Sequence, residues 1–331
     1  MAVRAETAVG GPGTGAVSKT PLDPRTVLDN PDFQALMTLK RTLYSHSLYH
    51  LGVECLGITP EATPYVLDPG VRYNTDRYND EFVKWLKERK AAKESGQMAT
   101  NTFRKVMHIE PRETMKSSFV TNISPVMASL WDPEIACCVS SYKFDDVATK
   151  FGKAIRAHWA GESENSQFTG LFGTFKQHNL PWNDSTAIIA PRRRTRNDPT
   201  LKIVSAENGG TSGHYDLVIL DDPVAQEQVE KYKERWFEKC WAHYKSLGMI
   251  TNQDGMFVLV MTRYGESDLC GMIIEREIET AVRQLDLPDA PEGVLPDAFD
   301  YETGWIKYAH LAGWFVTYGS AWDGDIRSED P

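Results

Sequence analysis

Six short runs rich in apolar and β-branched residues, at 104–109, 135–141, 187–190, 201–205, 217–220 and 257–261, alternate with longer stretches of helical periodicity. Runs of this length without polar alternation are what strands look like when both of their faces are covered. Coverage on both faces needs helices on either side, so the order predicts an α/β domain with a mainly parallel central sheet flanked by helices. A chain of 331 residues is long enough to bury such a core, and a content of 41% apolar residues excludes a disordered polymer. No stretch approaches the roughly 18 to 20 apolar residues of a membrane helix, and the N-terminus lacks the apolar core of a signal peptide. A soluble, intracellular protein is expected. The five cysteines (Cys55, Cys137, Cys138, Cys240 and Cys270) form no metal-binding spacing, which predicts reduced, packed thiols.

Around this core the chain divides by texture. Residues 1–25 are rich in Gly, Pro, Ser and Thr and read as a flexible leader. Residues 26–96 form a small helical region, with one helix from Phe33 and another over 82–93. The α/β core is expected over 97–285, with a helix over 269–282, and an acidic, Pro- and aromatic-containing segment over 286–331. The aromatic stretch from Trp305 to Trp322 suggests no definite element. The net charge of −10 is unevenly spread, because residues 266–331 carry 15 acidic and 4 basic residues and the remainder is close to neutral. Binding to a polyanion is therefore not excluded.

The segment Pro111-Arg112-Glu113-Thr114-Met115-Lys116-Ser117-Ser118 lies between an expected strand and an expected helix. A loop there aims backbone N–H groups and a helix N-terminus at one point, as phosphate binding requires. Lys116 would reach the β and γ oxygens of a triphosphate, and the Ser117 hydroxyl would bind Mg²⁺. The pattern G-x-x-x-x-G-K-[ST] is incomplete, since Glu110 and Met115 stand where glycines belong, and alone the segment also fits a charged turn. A second strand ends in Asp221-Asp222-Pro223. Two acids at the end of a core strand call for cationic compensation, with Asp221 on the metal and Asp222 orienting the attacking water. The alternative is a strand stop and helix cap. A third strand ends in Thr262-Arg263, which a parallel sheet would deliver to the same edge, near the γ-phosphate.

In this order the motifs resemble the ATPase half of the large terminase subunit, the DNA-packaging motor of tailed bacteriophages. The phosphate loop is similar to the family's Pro-Arg-x-x-x-Lys-[Ser/Thr]. Leu217 to Pro223 resembles its strand-Asp-Asp-Pro motif, preceded by Gly209-Gly210-Thr211-Ser212-Gly213. Thr262-Arg263-Tyr264, with the acids and Leu269-Cys270-Gly271 after it, resembles its third motif. Ser140-Ser141-Tyr142 with Val147, Ala148 and Phe151 resembles the segment after its second strand. The resemblance implies a P-loop NTPase fold, ATP and Mg²⁺ as cofactors, and a catalytic set of Asp222, Arg112, Lys116, Thr262 and Arg263. It further implies packaging of double-stranded DNA in the host cytoplasm, a portal protein and a small terminase subunit as partners, and assembly into a homo-oligomeric ring. The family's nuclease domain is not expected in this chain.

Other features carry less. Arg192, Arg193, Arg194 and Arg196 form a basic cluster that suits either a nucleic-acid backbone track or a solvated loop. Lys150, Lys153 and Arg156 read as an exposed helix face, and Trp236, Trp241 and Tyr244 as core. His108, His158, His178 and His214 have no metal-ligand spacing. A helicase-like P-loop ATPase, or a nucleic-acid-binding scaffold with a decayed nucleotide site, remain the alternatives.

Overall fold

The computed structural model describes residues 31–58, 69–96, 104–112, 114–163, 166–194, 196–207, 212–223, 226–263, 268–284 and 304–319. The expected leader, the Pro- and Asp-rich stretch 287–300, Glu113, and 208–211 of the Gly-rich segment lie outside them. The chain divides into two units, Met1–Lys40 and Arg41–Pro331. In the first, the described residues belong to helix α1 (Pro31–His46).

Among the described residues of the second unit, seven strands form one sheet: β1 (Lys105–Ile109), β2 (Cys137–Ser141), β3 (Thr186–Ala187), β4 (Leu201–Ser205), β5 (Tyr215–Asp221), β6 (Thr251–Met261) and β7 (Trp314–Tyr318). Their order is β3-β4-β2-β5-β6-β1-β7, parallel throughout except at β3. The apolar runs reflect burial on both faces. Met107, Ile109, Val218, Leu220, Leu259 and Met261 share one core with Tyr244 and Leu247 of helix α5 (Gln226–Ile250). The alternate residues Val106, His108, Leu217, Ile219, Val258 and Val260 are buried as well, on the opposite face. The same unit contains helices α2 (Pro69–Ser95), α3 (Ile123–Trp131) and α4 (Lys153–Ala160). Tyr78 of α2 meets Ser124 of α3 in a hydrogen bond of 2.9 Å and lies 5.8 Å, ring to ring, from His108.

The expected and observed elements differ in instructive places. Helix α2 begins at Pro69, well before the expected 82, because its buried stripe, Val71, Asn74, Thr75 and Tyr78, includes two polar residues that hide the apolar periodicity. The run 187–190 contributes only Ala187 to a two-residue strand. Beyond it, the amides of Ile188 and Ala190 donate to Pro181 and Phe175 carbonyls instead of to the sheet. Trp314–Tyr318, which suggested no element, is an edge strand in register with all of β1, from Lys105↔Trp314 to Ile109↔Tyr318. Its entry follows Gly313, whose φ of 77° ends the preceding helical turn as glycine does without steric cost. The central sheet therefore draws a strand from the segment placed outside the expected core. All five cysteines are buried and free, as expected. Trp236 and Tyr244 are buried, and Trp241 packs half-buried against them. Of the basic helix face, Lys150 and Lys153 are exposed, but Arg156 is buried and pairs with Asp184 at 3.1 Å.

Candidate functional site

Parallel strands β5, β6 and β1 lie side by side and end together, with Asp221 opposite Val260 and Ile109 opposite Met261. The segments leaving their carboxyl ends therefore converge: the loop from Glu110, the pair Asp221-Asp222, and Thr262 just past the end of the strand between them.

The loop begins as an extension of the sheet, where the Glu110 amide donates to the Met261 carbonyl at 3.2 Å. It then turns on itself, with the Thr114 hydroxyl donating to the Pro111 carbonyl at 2.9 Å. Met115 has φ 57°, a left-handed conformation. This is one of the two positions where the phosphate-loop pattern asks for glycine, and a side chain there costs about 1–2 kcal/mol of backbone strain. The Met115 carbonyl accepts the Phe119 amide at 3.1 Å and so starts the next helix. That helix opens with a π-helical turn, Ser117–Asn122, and continues as α3.

Lys116, at the helix start, is only 6% exposed. Its Nζ donates to Thr262 Oγ1 at 2.8 Å and lies 3.3 Å from Asp222 Oδ2. The Thr262 hydroxyl in turn donates to the Glu110 carbonyl at 3.2 Å, and the Thr262 amide donates to Asp222 Oδ1 at 3.0 Å. Asp222 reaches this position through a second left-handed backbone, φ 37°. Asp221 is buried to 1% exposure, with Oδ1 accepting from Ser117 Oγ at 3.0 Å and Oδ2 accepting from Thr121 Oγ1. Burial first, and then the neighbouring Asp222 charge, push the Asp221 carboxyl up to about 7 against the opposing pull of the two hydroxyls and Lys116. A carboxylate held this far up is short of positive charge.

Five residues named from the sequence thus fall into two adjoining hydrogen-bonded groups, Lys116 with Asp222 and Thr262, and Ser117 with Asp221, joined through the chain at 116–117 and 221–222. Thr121 belongs to the second group and was not named. Its signal was available, since a hydroxyl four residues after Ser117 falls on the same face of a helix. The other expected members have different surroundings. Arg112 is exposed, and Pro111 and Ser118 are half-buried. Arg263 pairs through Nε with Asp268 Oδ2 at 3.1 Å, and Asp268 Oδ1 caps the following helix by accepting the Gly271 amide at 2.9 Å.

The arginine cluster divides into two kinds of residue. Arg192 and Arg196 face inward. Arg192 donates to the Asp198 carbonyl at 2.7 Å, and Arg196 pairs with Asp216 at 2.8 Å. Arg89 of α2 pairs with the same carboxylate at 2.8 Å. Burial alone would raise the Asp216 carboxyl, but Arg89 and Arg196 hold it below the ordinary aspartate value. This network sits at the start of β5, the edge of the sheet opposite the Lys116 site. Arg193 and Arg194 are exposed, and their backbone amides donate to Glu134 at 2.7 and 3.1 Å.

No family model matches the chain, and no curated protein matches it in sequence.

Proposed function

We propose that this chain is an ATP-hydrolysing domain, of the P-loop type and dependent on Mg²⁺, and that it works as the motor of double-stranded DNA packaging. The observation that carries the ATPase reading is the meeting of Lys116, Asp221 and Asp222 across β5, β6 and β1, three elements far apart in sequence. A strand end needs one cap, not a buried lysine paired with one carboxylate beside a second carboxylate held by two hydroxyls. The packaging role rests on the motif resemblance alone, as do the portal, small-subunit and ring partners and the host cytoplasm.

The donor set suits a hard cation. Ser117 Oγ and the Asp221 carboxylate present oxygen only, and among the described residues no group of three or more His, Cys, Asp or Glu forms a metal site by itself. Mg²⁺ held jointly with substrate phosphates needs just one or two carboxylates and would neutralise charge on the β and γ phosphates. Ser117 and Asp221 would hold it. Lys116 would place its ammonium on the phosphate oxygens, giving up the Asp222 contact. Asp222, once released, would accept a proton from the attacking water, and Thr262 would keep its carboxylate aimed through the backbone amide.

The test is nucleotide-dependent thermal stabilisation with and without Mg²⁺, together with phosphate release by the parent protein and Lys116→Ala. A ligand at 100 times its dissociation constant adds about 2.7 kcal/mol of stability. Stabilisation that needs Mg²⁺ and vanishes in Lys116→Ala supports the reading, and equal phosphate release by both proteins refutes it.

A further inference from the structure

We infer that Thr121 is a specificity-determining residue of this site, selecting Mg²⁺ over Ca²⁺ by limiting how Asp221 can bind a cation; the inference rests on the ATPase reading above. Thr121 is fully buried, one helical turn beyond Ser117, and its hydroxyl donates to Asp221 Oδ2. Ser117, the other hydroxyl on this carboxylate, donates to Oδ1 at 3.0 Å and is half-buried. The two oxygens of Asp221 therefore differ. Oδ1 faces a residue that is itself a candidate ligand, whereas Oδ2 is held by a hydroxyl sealed from water.

With Oδ2 engaged, Asp221 offers a cation one oxygen. Ca²⁺ takes six to eight oxygens in flexible arrangements and readily uses both oxygens of a carboxylate. Mg²⁺ requires near-octahedral geometry, retains several waters and is served by single carboxylate oxygens and substrate phosphates. A carboxylate confined to one oxygen therefore weakens Ca²⁺ more than Mg²⁺. Ser117 does not substitute for Thr121 in this role, because its bond lies on the oxygen left to hold the cation.

The experiment uses the full chain and ADP, which is not hydrolysed, with thermal unfolding followed while Mg²⁺ or Ca²⁺ is titrated. The parent protein is expected to need several-fold more Ca²⁺ than Mg²⁺ for the same ADP-dependent stabilisation. Thr121→Val, which keeps the side-chain shape and removes the donor, is expected to narrow that ratio roughly threefold or more. Thr121→Ser, which restores the hydroxyl, is expected to retain it. An unchanged ratio in Thr121→Val, or equal narrowing in both variants, overturns the inference while leaving the ATPase reading standing. ADP stabilisation of the parent that depends on neither cation overturns both. Where Thr121→Val lacks a cooperative transition, Thr121→Ala is measured in its place, with the same two outcomes.

Discussion

Lys116 Nζ lies 3.3 Å from Asp222 Oδ2, so the lysine that would bind phosphate is held by the carboxylate that would activate water. In this state each group neutralises the other. An incoming phosphate must compete with Asp222 for the lysine, and that competition weakens binding by the strength of the ion pair. Asp222→Asn removes the charge and keeps the shape. The expected result is ADP binding tighter by several-fold, with ATP turnover lower by roughly 10²-fold or more, as for loss of a general base. Calorimetric titration of ADP beside steady-state phosphate release separates the two effects. Weaker ADP binding in the variant counts against the competition.

Met115 supplies a second test of how the loop is built. Its φ of 57° is the conformation glycine adopts freely. Met115→Gly relieves strain of about 1–2 kcal/mol but loosens the unfolded chain by about 0.4–1 kcal/mol, which leaves a small net gain in stability. Met115→Ile, with a β-branched side chain in the same conformation, should destabilise by more than 1 kcal/mol. Urea unfolding of both variants distinguishes them. A glycine variant less stable than the parent shows that Met115 contributes packing that outweighs its strain.

The elements that position this site were legible because their signals were local. Five of the six apolar runs became strands of three or more residues, and Lys116, Ser117, Asp221, Asp222 and Thr262 fell together because parallel strands end at one edge. What escaped was set by tertiary contact. Trp314–Tyr318 is a strand because β1 offers it an edge and Tyr244 and Phe257 offer its tryptophan a place to pack, at ring distances of 6.2 and 6.3 Å. The inward turn of Arg192 and Arg196 depends on Asp198 and Asp216, and Asp216 is drawn into the network by Arg89 from a helix more than a hundred residues away. Four arginines within five residues look alike in sequence, and only their partners separate them.

That separation gives opposite expectations within one cluster. Arg193 and Arg194 leave their side chains exposed, so Arg193→Ala with Arg194→Ala should not change stability. If they contact DNA phosphates, the double variant lowers affinity for all duplex sequences and reduces the slope of log affinity against log salt by roughly 0.9 per lost contact. Arg196→Ala removes one of two cations from the buried Asp216 and should cost about 1–3 kcal/mol, with Arg89, Asn252 and the Ala136 amide left to satisfy the carboxylate. Duplex binding at several salt concentrations, with urea unfolding of the same proteins, reads both effects. An unchanged salt slope in the double variant removes this loop from any DNA path.

Three buried imidazoles make the fold sensitive to mild acid. Burial lowers His108 to about 3, helped by Lys116, and lowers His158 and His243 each to about 4, with Lys239 assisting at His243. In the unfolded chain the same groups take up protons near pH 6.5. The folded state thus binds fewer protons, so their contribution is fully present above pH 6.5 and is lost as pH falls from there toward 4. By pH 5.5 each costs about 1 kcal/mol. Asp221 acts in the opposite direction, because its raised carboxyl gains a proton in the folded state below about 7 and is relieved of buried charge. The imidazoles outnumber it, so the net expectation is a loss of stability between pH 7.5 and 5.5. His243 is the clearest place to test this, since its Nε2 meets Ser140 Oγ at 2.8 Å in the core and it lies apart from the phosphate loop. His243→Gln keeps a polar group there without the titration. Urea unfolding at the two pH values should show a smaller acid loss in the variant than in the parent, by about 1 kcal/mol. An equal loss in both proteins would mean that His243 stays neutral or finds a proton acceptor on partial opening, and that the acid sensitivity arises elsewhere.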